Sequence, residues 1–354
     1  MSQFPETGKI QDEFFKSFIY PFCGSERKEI LTPPQYGVDV SLITLPNGYE
    51  MALTSDPLTL IPTLGLKESA WLSVCLMAND MVTTGKAPMY AQFVLNLPAT
   101  LATEDFDIYW KHIHYFCKDM GTAITGGHTG RFEGMHSTVA GGGTMITIAP
   151  QGEMLTSKGA REGDVILVTK ESALTATSIL ALSFPDTVKN ACGTEVQQRA
   201  AALFYETSAL KAGLTAASFN SKDCIIVTAM HDVTEGGILG AIYEMAIASG
   251  CGAMIEAVKL PTGKIQQQVC SVFDIDPNFC VGAGSMIMSV TADNADDVIA
   301  CLGKVEIKAT AVGVFTTKQQ GLLLINNHGV QPLQPPGTDP YWKAFYTAFG
   351  KGLK

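Results

Sequence analysis

Apolar positions in the first half of this chain fall into two spacings. Between Lys67 and Thr84 they recur at Trp71, Val74, Cys75, Ala78 and Met81 or Val82, one face of a helix that Gly85 ends. The same spacing predicts a helix from Thr103 to Met120 with Thr103 as its N-cap, and a short one from Gln11 to Tyr20. Strand-like runs occupy Gly37 to Ser41, Ala52 to Pro57, Tyr90 to Leu97, Ala123 to Thr125 and Met135 to Ala149. The last run is expected to break at Gly141-Gly142-Gly143.

Polar, turn-rich segments at Pro150–Gly152 and Ser157–Asp164 then interrupt the pattern. The second half restarts with a strand at Val165–Thr169, a helix at Leu174–Leu182 and a long helix near Val196–Phe219. The run Cys224–Met230 reads as a strand that turns through His231–Gly237 into a helix opening at Ile238. A strand near Ala253–Ala257, a helix from Gly263, and strands at Ser285–Val290 and Ala309–Phe315 complete it. The tail Gln331–Thr338, with three prolines, is expected as a surface excursion before a last short helix. This alternation predicts an α/β (α+β) protein. A chain of 354 residues exceeds what one core usually supports. We therefore expect a lead-in over 1–36, domains over 37–150 and 160–320, and a tail over 321–354.

Composition narrows the partners. A net charge of −10 argues against nucleic acid or an anionic membrane surface, so a phosphorylated ligand would be held by local N–H groups and metal. Charged residues are only 16% of the chain, which leads us to expect surface buried in a homodimer. No apolar run approaches the roughly 18 residues that span a bilayer. The start Met1–Glu6 has no secretory pattern, and nine scattered cysteines read as reduced thiols, so a cytoplasmic location is the expectation.

The most informative segment is His231-Asp232-Val233-Thr234-Glu235-Gly236-Gly237. A strand–loop–helix turn directs backbone N–H groups and a helix N-terminus into one small space that suits an anion. Asp232 and Glu235 would repel a bare phosphate there, but suit one whose oxygens share a hard cation such as Mg²⁺. The structural alternative is that Thr234 and Glu235 cap the helix. Asp39, Thr54-Ser55-Asp56, Asn79-Asp80 and Gly126-Gly127-His128-Thr129-Gly130-Arg131 carry related chemistry. Each also has a bland reading: Asp56 suits a turn before Pro57, Asp80 could pair with Lys86, and Arg131 could face solvent. Together they point to a Mg²⁺–nucleotide site, since a triphosphate needs several carboxylates for its metals and close backbone approach for its oxygens. No G-x-x-x-x-G-K-[ST] and no helix-opening G-x-G-x-x-G is present, which excludes a P-loop and makes a Rossmann site a poor fit. His128 and His231 lie in glycine-rich loops and are candidates to touch substrate or phosphate, whereas His112 and His114 read as ordinary helix residues.

On these segments, and on Gly85-Lys86-Ala87-Pro88 and Gly163–Thr169, the chain resembles the aminoimidazole ribonucleotide (AIR) synthase superfamily from about Gly37 to Val314. That group includes AIR synthase, thiamine-monophosphate kinase, selenide water dikinase and the hydrogenase maturation protein HypE, and the pattern is most similar to the HypE-like, AIR synthase-related branch. The resemblance implies an N-terminal domain whose strands form a β-barrel with a second subunit, and a ferredoxin-like C-terminal domain. It places ATP–Mg²⁺ in the cleft near the dimer interface. Carried over, Asp39, Asp56 and Asp80 would hold metal. Thr54, Ser55, Asn79, Gly126, Gly127, His128, Thr129, Thr234 and Gly236 would meet the nucleotide, and His231, Asp232 and Glu235 would serve catalysis. The chain departs from HypE in having no cysteine after Cys301, and from kinase relatives in having His128 where an acid is usual and Asp39 without a neighbouring aspartate. The implied function is an ATP- and Mg²⁺-dependent enzyme that activates an amide- or carboxylate-type oxygen of a small or protein-bound acceptor. The alternative is a catalytically reduced nucleotide-binding scaffold or maturation partner.

Overall fold

The computed structural model describes residues 9–354 apart from 11, 62, 136 and 137, so the lead-in before Lys9, part of the Gln11–Tyr20 helix, and His136 lie outside the described residues. The described part of that helix, Asp12–Ile19, is helical and continues as a short 3₁₀ turn, Tyr20–Phe22.

The first sheet contains β1 (Ile30–Thr32), β2 (Ser41–Leu45), β3 (Tyr49–Thr59), β4 (Tyr90–Pro98), β5 (Ala123–Phe132) and β6 (Val139–Pro150), in the order β1-β2-β3-β6-β4-β5. Only β4 and β5 run parallel. Alternation is plain in β4, where Ala91, Phe93, Leu95 and Leu97 are buried. Those residues pack with Val74, Met77, Ala78 and Met81 of the Leu66–Val82 helix and Tyr109 and Ile113 of the Thr103–Asp119 helix.

Several expectations are corrected here. Asp39 precedes β2 instead of lying inside a strand. β5 runs unbroken through Gly126–Thr129, which is therefore an edge strand and not a loop. β6 runs unbroken through its three glycines. Glycine serves close packing in β6: a Cβ at Gly143 would lie 2.7 Å from the Met77 sulfur. Thr103 is the first helical residue and makes no cap, Ala102 being the N-cap.

The second sheet holds β7 (Val165–Thr169), β8 (Val227–Asp232), β9 (Gly252–Glu256), β10 (Met286–Val290), β11 (Ala309–Thr316), β12 (Leu322–Asn326) and β13 (Gly329–Pro332). Their order is β13-β12-β9-β11-β7-β10-β8, antiparallel except for β12 beside β9. Ile166 and Val168 pack with the Gly237–Ser249 helix, while Leu167 packs with the helices Leu210–Ala217 and Ala295–Lys304. The long helix expected over Val196–Phe219 is instead Thr194–Ala202, a 3₁₀ turn at Leu203–Glu206 and Leu210–Ala217.

The tail is not a mere surface excursion. Leu333 is buried against the second sheet, and Tyr341 and Phe345 of the Pro340–Gly350 helix are buried beside Phe184. The Leu66–Val82 helix joins the halves. Its Asn79 accepts from the Ala209 N–H at 2.7 Å and donates to the Thr207 carbonyl at 2.8 Å, and Trp71 Nε1 donates to Thr207 Oγ1. No helix among the described residues is long and apolar enough to cross a membrane.

Candidate metal and phosphate site

β8 ends on His231 and Asp232, both 1% exposed, paired in register with Ile287 and Met286 of β10. The chain then turns through Gly236 (φ 87°) and Gly237 (φ 64°) into the Gly237–Ser249 helix. A Cβ at Gly237 would lie 2.5 Å from the Asn278 carbonyl oxygen, so only glycine fits the turn.

Four carboxylates reach this point from separate segments. Asp39, oriented by Ser157 Oγ at 2.8 Å, lies 3.0 Å from His231 Nδ1, and Asp232 lies 3.7 Å from the same nitrogen. Asp80, on the Leu66–Val82 helix, accepts from Thr54 Oγ1 of β3 at 2.7 Å. Asp56 is on the same face of β3 as Thr54, two residues on.

The acids strain one another electrostatically. Burial first, then Asp232, Asp56 and Asp39, holds the Asp80 carboxyl well above the usual carboxylate range. Burial, then Asp232, pushes Asp56 up to about 7, with Glu235 adding and Lys9 opposing. Asp232 is raised by burial and by Asp39, against the pull of His231. These shifts are the signature of like charges sharing a poorly solvated space.

Behind the cluster runs a chain of opposite charges. His231 Nε2 lies 3.2 Å from Glu244 Oε2, and Glu244 accepts from Lys9 Nζ at 3.0 and 2.8 Å. Burial disfavours the Glu244 carboxylate, yet Lys9 and His231 outweigh it and hold the group at about 2. Burial likewise opposes charging His231 and Lys9, and the surrounding carboxylates outweigh it in both, raising them. The Lys9 backbone N–H also donates to Glu235 at 2.7 Å.

One polar atom here, Asp232 Oδ2, is buried with no hydrogen-bond partner, whereas His231 Nδ1 faces Asp39 at 3.0 Å. Among the described residues, Asp39, His231 and Asp232 are the one group of His, Cys, Asp or Glu whose donor atoms gather closely enough, within 4.8 Å, to hold a metal ion.

The other sequence candidates are placed differently. Ser55 points to the opposite face of β3 and bonds Thr144 Oγ1 at 2.8 Å, and the Asn79 amide is committed to Thr207 and Ala209. Gly126, Gly127, His128 and Thr129 lie on the exposed edge strand. Gly127 shares a row with Asp56 through Phe93 and Gly143, three strands and about 14 Å away. Arg131 donates to the Ala99 and Leu101 carbonyls. Lys86 pairs with Glu153 at 3.0 Å and not with Asp80.

The helix entrance is also occupied. Neither Thr234 nor Glu235 caps it; Gly236 is the N-cap, and its N–H donates to Asp339 Oδ2 at 3.0 Å. Asp339 caps its own helix at Tyr341 N–H as well, and burial pushes its carboxyl up to about 6. A tail carboxylate thus fills the place where an anion was expected.

Sequence reasoning missed Lys9, Ser157, Glu244 and Asp339. Glu244 left a signal, since it is a single acid inside the apolar run Ile238–Ala246. Asp339 before Pro340 matches a helix start. Nothing in the sequence tied Lys9 to a site more than 200 residues away.

Residues 37–149 match the N-terminal domain, and residues 161–325 the C-terminal domain, of AIR synthase related protein. The chain is 24% identical over 278 residues to carbamoyl dehydratase HypE of Cupriavidus necator, covering 75% of this chain and 72% of that one. It is 28% identical over 305 residues to selenide, water dikinase of Methanocaldococcus jannaschii, covering 82% and 83%. A crystal structure of HypE in complex with ATP shares the fold, with TM-score 0.63 at 17% identity over 93% of each chain. With its two halves matched in order, the chain belongs to the AIR synthase-related protein family.

Proposed function

We propose that this protein binds ATP with Mg²⁺ where its two halves meet, and uses it to phosphorylate an amide- or carboxylate-type oxygen of a small or protein-bound acceptor. The observation that carries this reading is the convergence of Asp39, Asp56, Asp80 and Asp232, where burial first and then mutual repulsion raise the last three. Counting Glu235 and Glu244, six acids face Lys9 and His231 alone among the described residues. That excess calls for cations, and a cation held there would meet polyphosphate oxygens. The partnerless Asp232 Oδ2 is an oxygen with room for a metal bond, so the residues present fit Mg²⁺. When bound, Mg²⁺ supplies charge neutralisation at phosphate oxygens.

The chain's own groups have definable tasks in this reading. Thr54 and Ser157 orient Asp80 and Asp39. His231 and Lys9 keep Glu244 ionised. Gly126 and Gly142, where an added Cβ would meet nothing closer than 3.6 Å, leave the backbone open to close approach. Structures that share this fold were solved with ATP, or with AMPPCP and TMP, which supports nucleotide binding.

We further propose a homodimer. The outer face of the first sheet exposes Tyr49, Tyr90 and Val94 at 48%, 36% and 43%, flanked by the half-buried Met51, Leu53, Ile146 and Ile148. Its two helices cover the other face, and a second copy would cover this one and close the barrel.

Asp339 at the Gly236 N–H favours a second reading, nucleotide binding without turnover in a scaffold or maturation partner. ADP release with and without candidate amide and carboxylate acceptors separates them. Acceptor-dependent release supports the enzyme; tight ATP binding with no release under any acceptor supports the scaffold.

A further inference from the structure

We propose that Lys170 is a positioning residue: it pins the segment Glu206–Ser208 against the Leu66–Val82 helix and thereby fixes Asp80 opposite Asp232. This deepens the nucleotide reading and rests on its assignment of Asp80 as a metal-holding acid.

Lys170 directly follows β7 and takes a left-handed backbone (φ 56°), as does Ala173 (φ 52°) three residues on. A side chain in that region is strained, and such strain persists only where surrounding contacts hold it. The Lys170 N–H donates to the Lys308 carbonyl at 2.7 Å. Its Nζ donates to the Glu206 carbonyl at 2.6 Å and to the Ser208 carbonyl at 2.8 Å. One ammonium thus grips both neighbours of Thr207.

Thr207, held between them, is where the helix is received. Trp71 Nε1 donates to its Oγ1 at 2.8 Å, and Cys75 Sγ and Asn79 Nδ2 donate to its carbonyl at 3.3 and 2.8 Å. Residues 71, 75 and 79 are four apart and so form one line along the helix. Asn79 Oδ1 also accepts from the Ala209 N–H at 2.7 Å, and Asp80 is the next residue. The same loop is seated on the second sheet. A Cβ at Gly284 would collide with the Glu206 carbonyl oxygen and lie 2.6 Å from Thr207 Cα. Two residues on, Met286 pairs in register with Asp232. Lys170 and Asp232 therefore belong to one sheet, and the clamped loop sets how near Asp80 comes to it.

The clamp works against electrostatic repulsion. Burial, then Asp232, Asp56 and Asp39, raises the Asp80 carboxyl, so the metal-free acids push the helix away from the second sheet. Among the contacts to this loop Lys170 supplies the charged donor, and hydrogen bonds from charged groups are the stronger ones.

The test is a double-mutant cycle on the full-length, metal-stripped protein without nucleotide, with Lys170→Met, Asp80→Asn and both together, read as Tm. Asp80→Asn should raise Tm by about 2–8 °C in the unmutated background, because it relieves a repulsion that the clamp maintains. In the Lys170→Met background the rise should fall below about half of that, since the released helix has already relaxed. If Lys170→Met does not fold, Lys170→Gln, which keeps one neutral amide donor, takes its place. Calorimetry on the folded variant reads the second quantity. The Kd for ATP–Mg²⁺ should weaken about tenfold, a change that a purely stabilising lysine would not produce. Additive Tm shifts, no rise with Asp80→Asn in the unmutated background, or an ATP–Mg²⁺ Kd unchanged by the Lys170 substitution each overturn the inference. An unmutated protein that binds no nucleotide refutes the functional reading instead, and the nucleotide-free cycle alone then decides the role of Lys170.

Discussion

Asp80→Asn is the substitution that most sharply divides a ligand site from a structural ion pair. Asp80 is buried, and its carboxyl is raised first by burial and then by Asp232, Asp56 and Asp39. At an effective dielectric constant of about 20, two unit charges about 7 Å apart repel by about 2 kcal/mol. Removing that charge should return about 1–2 kcal/mol to the ligand-free protein. Asparagine keeps an oxygen for the Thr54 hydroxyl, so that hydrogen bond survives. At roughly 2–4 °C per kcal/mol for a large domain, the ligand-free Tm should rise by about 2–8 °C. The same change removes a metal oxygen, so the Tm increase produced by ATP–Mg²⁺ should shrink or vanish. Asp232→Asn should likewise lose the nucleotide-induced increase without a large ligand-free loss. Thermal melts with and without ATP–Mg²⁺ read both quantities. A fall in ligand-free Tm with an unchanged nucleotide response would refute the reasoning.

Other outcomes follow from the same charges. Asp56, at about 7 in the folded protein, binds its proton more tightly than in the unfolded chain, so its contribution favours the native state below about pH 4 and is lost as pH rises towards 7. Urea titrations should show that decline in the metal-free protein, and saturating Mg²⁺ should flatten it. Glu244, held at about 2, acts in the opposite sense: its stabilisation is present above about pH 4.5 and is lost as pH falls towards 2. Glu244→Leu leaves His231 and Lys9 without their carboxylate and should cost about 3–5 kcal/mol by urea denaturation; a cost under about 1 kcal/mol would remove Glu244 from the network. Light scattering at micromolar concentration should give twice the chain mass, and Val94→Glu on the exposed sheet face should shift it towards monomer.

The legible parts of the fold were those set by local periodicity. β7 was read to the residue, and the Leu66–Val82 helix to within two, because an amphipathic or wholly apolar run needs no distant partner to be recognised. Glycine misled in both directions. At Gly141–Gly143 and Gly126–Gly127 it signalled a break, yet it serves crowded strand packing against Val94 and Phe93, which no local window reveals. The aspartates of the site were visible as acids in apolar company. Their neighbours were not: Ser55 looked equivalent to Thr54 until strand alternation placed it on the other face, bonded to Thr144. Asn79 looked like a ligand beside Asp80 and proved to stitch the two halves together. Lys9 and Asp339 enter from the two chain ends, and only the folded topology brings them to the Glu235–Gly236 turn.

Isothermal titration calorimetry of the purified protein with ATP, in the presence and absence of Mg²⁺, tests the central claim most directly. The account predicts saturable binding that requires Mg²⁺ and is lost in Asp80→Asn. Failure to bind any purine nucleotide, with Mg²⁺ or with Mn²⁺, would contradict it.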